Sequence, residues 1–275
     1  MIEAATTRGA TPPLAGGGPV VALHNVDKVF ANGIVALHQF SLDVRAGEFL
    51  SVIGPSGCGK STVLRLIAGL TSRSTGSITW PSRPGVPGGA VRDIGFVFQE
   101  PTLMPWASVF ANVYLPLRLA GIPQRAARPH VMETLARMGL ADFASVYPRA
   151  LSGGMKMRVS IARALVTQPK LLLMDEPFAA LDEITRFKLN DDLIALWREL
   201  RMTVVFVTHS VFESVYLSTR IVVMTGRPGR VSSELAVDAP ARDAQFRTSA
   251  EYAGTCRLAS NALSRAMQTG TGAAA

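Results

Sequence analysis

Apolar residues along this chain come in two kinds of run. Residues 49–53 (Phe-Leu-Ser-Val-Ile), 171–174 (Leu-Leu-Leu-Met) and 203–207 (Thr-Val-Val-Phe-Val) are almost uninterrupted. So continuous a run fits a strand covered on both faces, as in a parallel sheet. Residues 62–70, 152–165 and 182–201 read instead as helices, and in the last of these Ile184, Phe187, Ile194 and Trp197 recur near helical spacing. Residues 20–26 and 36–44 read as strands around a turn at Ala31-Asn-Gly33, and residues 77–80, 94–98, 221–224 and 230–237 as further strands. A Pro/Gly-rich stretch at 81–89 reads as a loop. Residues 106–140 turn helical, and Pro129 is expected to start or kink the second helix there, because its ring removes a backbone donor. Beyond residue 237 the chain reads as helical to about Met267. Strands alternating with helices predict an α/β core with a mostly parallel sheet, interrupted by a helical stretch at about 101–150. No internal repeat is visible.

Composition narrows the class. At 275 residues and 48% hydrophobic, the chain can bury a large core. Charged residues make up only 17%, yet the net charge is +8. That excess could face nucleic acid, anionic lipid or solvent. No run of six basic residues occurs, so a nucleic-acid arm is not expected. Two cysteines, Cys58 and Cys256, make no disulfide framework, and a reducing compartment is expected. No apolar stretch approaches the roughly 18 residues that span a bilayer. The first 18 residues are rich in Gly, Pro, Ala and Thr and lack the basic-then-apolar order of a signal peptide; they read as a disordered leader, and the last few residues as a frayed tail. A soluble, cytoplasmic protein is expected, with any membrane role arriving through a partner.

Residues 54–61, Gly-Pro-Ser-Gly-Cys-Gly-Lys-Ser, carry the most chemistry. An apolar strand precedes them and a helical run follows. That context makes the glycines a phosphate cradle: they let the loop wrap a triphosphate with its N–H groups aimed inward. Lys60 can reach the outer phosphates, Ser61 can offer its hydroxyl to Mg²⁺, and the next helix points its positive end at the anion. Leu173-Met-Asp175-Glu176 is the second anchor. A carboxylate at the end of a buried strand can hold Mg²⁺ through water, the place of Asp175, while Glu176 can orient or deprotonate the attacking water. The third is Leu151-Ser-Gly-Gly-Met155, where Ser152 and two glycines open a helix and form an anion site from its N-terminus. A domain with one phosphate loop rarely needs a second such site; the economical reading is that it serves a nucleotide held by another copy.

On these residues the sequence resembles the nucleotide-binding subunit of ATP-binding-cassette (ABC) transporters over residues 20–237. Gly54, Pro55, Ser56, Gly57, Cys58, Gly59, Lys60, Ser61 and Thr62 resemble the Walker A motif, and Leu-Leu-Leu-Met-Asp175-Glu176 the Walker B motif. Ser152, Gly153 and Gly154 resemble the family signature, with Met155 where Gln is usual. Gln99, in Val97-Phe-Gln99, falls at the Q-loop position, expected to sense Mg²⁺ and the attacking water and to couple to the transmembrane partner. Ala180-Leu-Asp182 resembles the D-loop, His209 the switch histidine near the γ-phosphate, and Phe30 the aromatic that stacks on adenine. Ser210 stands where Asp is commoner.

The resemblance implies a P-loop NTPase core with an antiparallel β subdomain and an inserted α-helical subdomain. It divides the chain into a leader (1–18), an ATPase domain (19–238, with the helical insertion at about 101–150) and a C-terminal helical extension and tail (239–275). It implies ATP and Mg²⁺ as ligands, with Ser61, Asp175 and Gln99 toward the metal and Glu176, His209 and Gln99 toward catalysis. It implies a homodimer that closes head to tail on ATP, a separate integral-membrane permease, and through it a solute-binding protein. Pro105-Trp106, Asn112-Val-Tyr-Leu-Pro-Leu117 and Arg227-Pro-Gly-Arg230 are similar to the importer group for nitrate, sulfonate, taurine, bicarbonate and pyrimidine precursors. An exporter cassette, or a soluble cassette ATPase without a permease, stays open as an alternative, and the cassette does not name the solute.

Overall fold

The computed structural model describes residues 19–80, 94–239 and 242–270. The expected leader, the Pro/Gly-rich stretch at 81–89 and the final tail lie outside the described residues. Six strands form the central sheet: β3 (Phe49–Ile53), β5 (Ile94–Val97), β6 (Leu171–Asp175), β7 (Thr203–Val207), β8 (Arg220–Met224) and β9 (Val231–Ala236). Their order is β5-β6-β7-β3-β8-β9, parallel except for β9 at the edge. Three more strands, β1 (Pro19–Val29), β2 (Val35–Arg45) and β4 (Thr75–Thr79), make a separate antiparallel sheet in the order β2-β1-β4.

The continuous apolar runs are explained by what covers them. Every residue of β3, β6, β7 and β8 is buried. Alternation along each strand splits the core in two. Leu172, Met174, Phe49, Val204 and Phe206 join one cluster, while Leu171, Leu173, Leu50, Val205 and Val207 join another. The first cluster takes in helices α2 (Val109–Leu119), α3 (Gln124–Arg137), α4 (Gly153–Leu165), α5 (Glu183–Leu200) and α8 (Ala250–Gly270). The second takes in α1 (Lys60–Ile67) and the antiparallel sheet. Two short helices, α6 (Val211–Leu217) and α7 (Ala244–Arg247), complete the α-helices among the described residues.

Two expectations need correction, and one helix goes beyond them. Ile184 and Phe187 do not face the core: they are 70% and 41% exposed, and α5 buries Leu189, Leu193, Ile194, Leu196 and Trp197 instead. No residue of α5 before Leu189 is buried, and the helix joins the core only from Leu189 onward. Pro129 does not start its helix. Pro123, held extended at the N-cap (φ −62°, ψ 143°), starts it, and Pro129 lies inside α3. The only helical bond lost there is the one to the carbonyl of Arg125, an exposed residue whose oxygen water can serve. Finally, α6 occupies a stretch to which the sequence reading gave no element.

One buried ion network ties the two sheets. Arg220 at the start of β8 donates to both oxygens of Glu48, at 2.8 and 3.0 Å, to Glu234 at 2.8 Å and to the carbonyl of Asp43 on β2. Removing the guanidinium would strand a buried carboxylate. Arg220→Ala is expected to cost about 3–5 kcal/mol. For a chain of this size that lowers the melting temperature by roughly 10 °C, checked by a thermal melt.

Candidate active site

The parallel strands end together, and their ends carry the chemistry. Ile53 leads into the loop at 54–59; Asp175 pairs with Val207 in register, and Val97 with Met174. The carboxyl edge of a parallel sheet is where α/β folds place ligands. Gly59, at φ 104°, could not be another residue: a Cβ there would lie 2.9 Å from the carbonyl oxygen of Ala36. That left-handed turn closes the loop and starts α1 at Lys60. Within the loop Pro55 is half-buried, Ser56 and Gly57 are exposed, and Cys58 is buried, which pushes its thiol pKa up; Thr62 follows half-buried in α1. Exposed N–H groups at a helix start, above a sealed thiol, suit an anion.

Lys60 is buried, and its Nζ donates to the carbonyls of Gly54 at 3.0 Å and Pro55 at 3.1 Å. It also stands 3.9 Å from Oε1 of Glu176. Ser61 Oγ donates to Asp175 Oδ1 at 2.8 Å. Burial raises the Asp175 carboxyl above its usual range, and the Ser61 hydrogen bond partly offsets that. Glu176 adopts φ 46°, a left-handed conformation a non-glycine residue seldom takes, with its N–H bonded to the carbonyl of Val207 at 2.9 Å. Strain of that kind gathers where a side chain must be aimed. Its Oε2 lies 3.2 Å from Nδ1 of His209, the second residue after β7. Lys60, Ser61, Asp175, Glu176 and His209 thus meet at one edge, from three strands.

The other predicted residues stand apart from that cluster. Gln99 is exposed two residues past β5, on the same edge but outside those side-chain contacts. Phe30 follows β1, 38% exposed, with Lys28 Nζ 5.0 Å from its ring centre. Ser152 caps α4 by accepting from the N–H of Met155 at 3.3 Å. Asp182 caps α5 through the N–H of Thr185 at 2.9 Å, which holds its carboxyl below the usual range. These two caps are neighbours: a Cβ on Gly153 would lie 3.5 Å from Leu181, and one on Gly154 only 2.6 Å from Thr185 Cγ2.

A strand, glycine loop and helix, with a carboxylate strand end beside them, make the arrangement expected of a nucleotide site. The ABC transporter family model matches residues 37–179. The chain belongs to the ABC transporter family. It is an ABC-type ATPase, similar to the taurine import ATP-binding protein of Rhizobium johnstonii, at 44% identity over 76% of this chain and 79% of that protein. It is 45% identical to the aliphatic sulfonates import ATP-binding protein of Bacillus licheniformis, over 78% of this chain and 83% of that one. Among solved structures it resembles an ATP-binding cassette captured as a dimer in a post-hydrolysis state with ADP and Pi, at TM-score 0.70 and 35% identity, covering 80% of this chain and 99% of that one. ATP binding follows at the level of the ABC family.

Arg186, Thr208 and Glu213 have no part in the sequence expectations, and Arg227 enters them only as part of the importer-like segment at 227–230. Arg227 donates to the carbonyl of Gly57 from Nε at 3.1 Å and Nη2 at 3.0 Å, bracing the phosphate loop from the β8–β9 turn. One local signal for Glu213 was available. Ser210-Val-Phe-Glu213 has the spacing of a helix capping box, and Ser210 does cap α6 through the N–H of Glu213.

Proposed function

We propose that this chain is the ATP-hydrolysing subunit of an importer for a small anionic or zwitterionic solute of the sulfonate, taurine or nitrate kind. The observation that carries the hydrolytic part is the meeting of Lys60, Ser61, Asp175, Glu176 and His209 on one sheet edge. ATP stacks its base on Phe30 and lays its phosphates along residues 54–62. Ser61 and Asp175 fit Mg²⁺: a hydroxyl and a carboxylate, both hard oxygen donors, touch at 2.8 Å. Among the described residues no three His, Cys, Asp or Glu side chains group to hold a metal alone, which suits a cation completed by substrate phosphates. When bound, Mg²⁺ neutralises charge building on the phosphates.

Glu176 takes the proton of the attacking water, and His209, against its Oε2, fixes which way that carboxylate points. Lys60 exchanges its loop carbonyls for phosphate oxygens. Gln99, beside the strand end, orients the water and reports to the permease. Ser152, Gly153 and Gly154 of one copy face the γ-phosphate held by the other, and Asp182 lines the seam between copies. Gly154→Val would drive a side chain into Thr185. The expected result is loss of ATP-driven dimer closure and a severalfold or larger fall in turnover, with monomer affinity for ATP kept; wild-type turnover would remove the helix tip from the site.

Among the described residues no helix is long and apolar enough to cross a membrane, so translocation needs the permease. The docking surface we assign is the start of the helical insertion. Trp106 is 76% exposed and lies beside a cleft of about 350 Å³ shared with Met104, Tyr114, Leu115 and Arg118. Buried Asn112 makes the turn rigid, bonding Met104 through both its backbone groups and the carbonyls of Ala107 and Ser108. An apolar, prebuilt cleft fits a helix from a membrane subunit. A solute-binding protein outside the membrane then selects the cargo, and the cassette sits on the inner face of the membrane through its permease. Purification from native membranes tests this: co-isolation of an integral permease, and its loss with Trp106→Asp, support the assignment, whereas co-isolation with ribosomes or DNA refutes it.

A further inference from the structure

We propose that Arg186 and Glu213 are positioning residues that couple the Leu181-Asp182 segment to His209. This rests on the catalytic role proposed for His209 and adds a partner-sensing link to it.

The link starts at the switch end. Thr208 Oγ1 donates to Glu213 Oε2 at 2.5 Å, and the N–H of Ser210 donates to the same Thr208 oxygen at 3.0 Å. Ser210 Oγ in turn accepts from the N–H of Glu213 at 3.3 Å. In an ordinary capping box the glutamate would bond the N-cap N–H itself. Here it does so through a threonine hydroxyl, and the residue flanked by the two anchored ones is His209. Any shift of the Glu213 carboxylate therefore shifts the backbone that aims the imidazole at Glu176.

The other end starts at the segment between subunits. Arg186 Nη2 donates to the carbonyl of Leu181 at 2.9 Å, and its own N–H bonds the carbonyl of Asp182 at 2.9 Å. Thr185, between them, packs on Gly154 of the signature tip. Arg186 thus moves with the segment that meets the second copy.

The two ends face each other without joining. Arg186 Nε lies 3.7 Å from Glu213 Oε1, an ion pair by distance. Yet both atoms are buried and neither has a hydrogen-bond partner among the described residues. A buried donor and a buried acceptor left open and opposed call for an explanation. An approach of under about 1 Å would make a charge-assisted hydrogen bond. Burial raises the Glu213 carboxyl, so the group gains from such a partner. The arrangement is a contact poised to close when the Leu181-Asp182 segment is pushed toward α6 by the partner subunit. It then sets His209 and Glu176 for hydrolysis only in the closed dimer.

The test uses the full chain, with Arg186→Lys, Glu213→Gln and the double variant. Steady-state ATPase against ATP concentration, equilibrium ATP binding and melting temperature are measured on each. The expected result is a fall in kcat on the order of 10- to 100-fold with ATP affinity kept, and loss of sigmoidal dependence on ATP. The double variant should be no slower than the slower single one, since both break one link. Should Glu213→Gln not fold, Thr208→Val breaks the same link at its hydroxyl, with the same result expected. Additive losses in the double variant, unchanged kcat, or kcat falling only in step with ATP affinity and melting temperature would each overturn the coupling. A wild type that binds ATP and hydrolyses none would sink the hydrolytic function beneath it, an outcome distinguishable from failure of the coupling in a sigmoidal wild type.

Discussion

Glu176→Gln is expected to bind ATP as the wild type does and to hydrolyse it roughly 10²- to 10⁴-fold more slowly, the range a positioned general base supplies. The reasoning is geometric. Glu176 is the first residue after β6, and its left-handed φ of 46° turns the side chain off the strand direction. Its Oε2 meets His209 at 3.2 Å, and its Oε1 stands 3.9 Å from Lys60, so both oxygens face the phosphate edge. Glutamine keeps the size and an acceptor oxygen but cannot take a proton at neutral pH. The nucleotide should then stay intact between two copies, and the closed dimer should accumulate with ATP and not with ADP. Size-exclusion chromatography with either nucleotide, beside a phosphate-release assay, reads both consequences. Near-wild-type turnover would strip Glu176 of the base role; loss of ATP affinity would make it a binding group instead.

The same edge shows which features a sequence exposes and which it hides. Leu171, Leu172, Leu173 and Met174 are apolar for a local reason, burial on both faces, so the strand and its terminal carboxylates could be read directly. The glycine turn that starts α1 was legible because Gly59 obeys a backbone constraint that only glycine meets. Side chains whose importance is relational were not. Arg186 lies on α5 and Glu213 on α6, 27 residues apart in the chain, and nothing in either neighbourhood announces that they face each other. Helix α6 escaped because a seven-residue helix offers two turns of periodicity, too short to stand out from the strand that follows. Ile184 and Phe187 misled for the opposite reason: their spacing is helical, but their part of α5 leaves the core, and Phe187 is covered by the guanidinium of Arg247, 4.8 Å from its ring centre. Periodicity reports the face of a helix, not how far along it the core extends.

Lys60→Ala is expected to abolish useful ATP binding. Lys60 is 6% exposed, and its ammonium bonds two carbonyls of the very loop proposed to hold the phosphates. Those carbonyls keep the amine in place but carry no full charge, so a triphosphate outcompetes them. Removing one member of a buried, charge-assisted contact costs about 2–5 kcal/mol. In the middle of that range the dissociation constant for ATP rises by roughly two and a half orders of magnitude. A bland outcome must be separated from this one, since the amine also pins the loop and its loss could merely loosen α1. Lys60→Met keeps most of the buried stem and removes only the charge. If both variants melt near the wild-type temperature and neither binds ATP, the charge is what the phosphates require. If Lys60→Met binds ATP normally, Lys60 is a structural pin, and the cradle must draw its affinity from the backbone N–H groups of residues 56–61 alone.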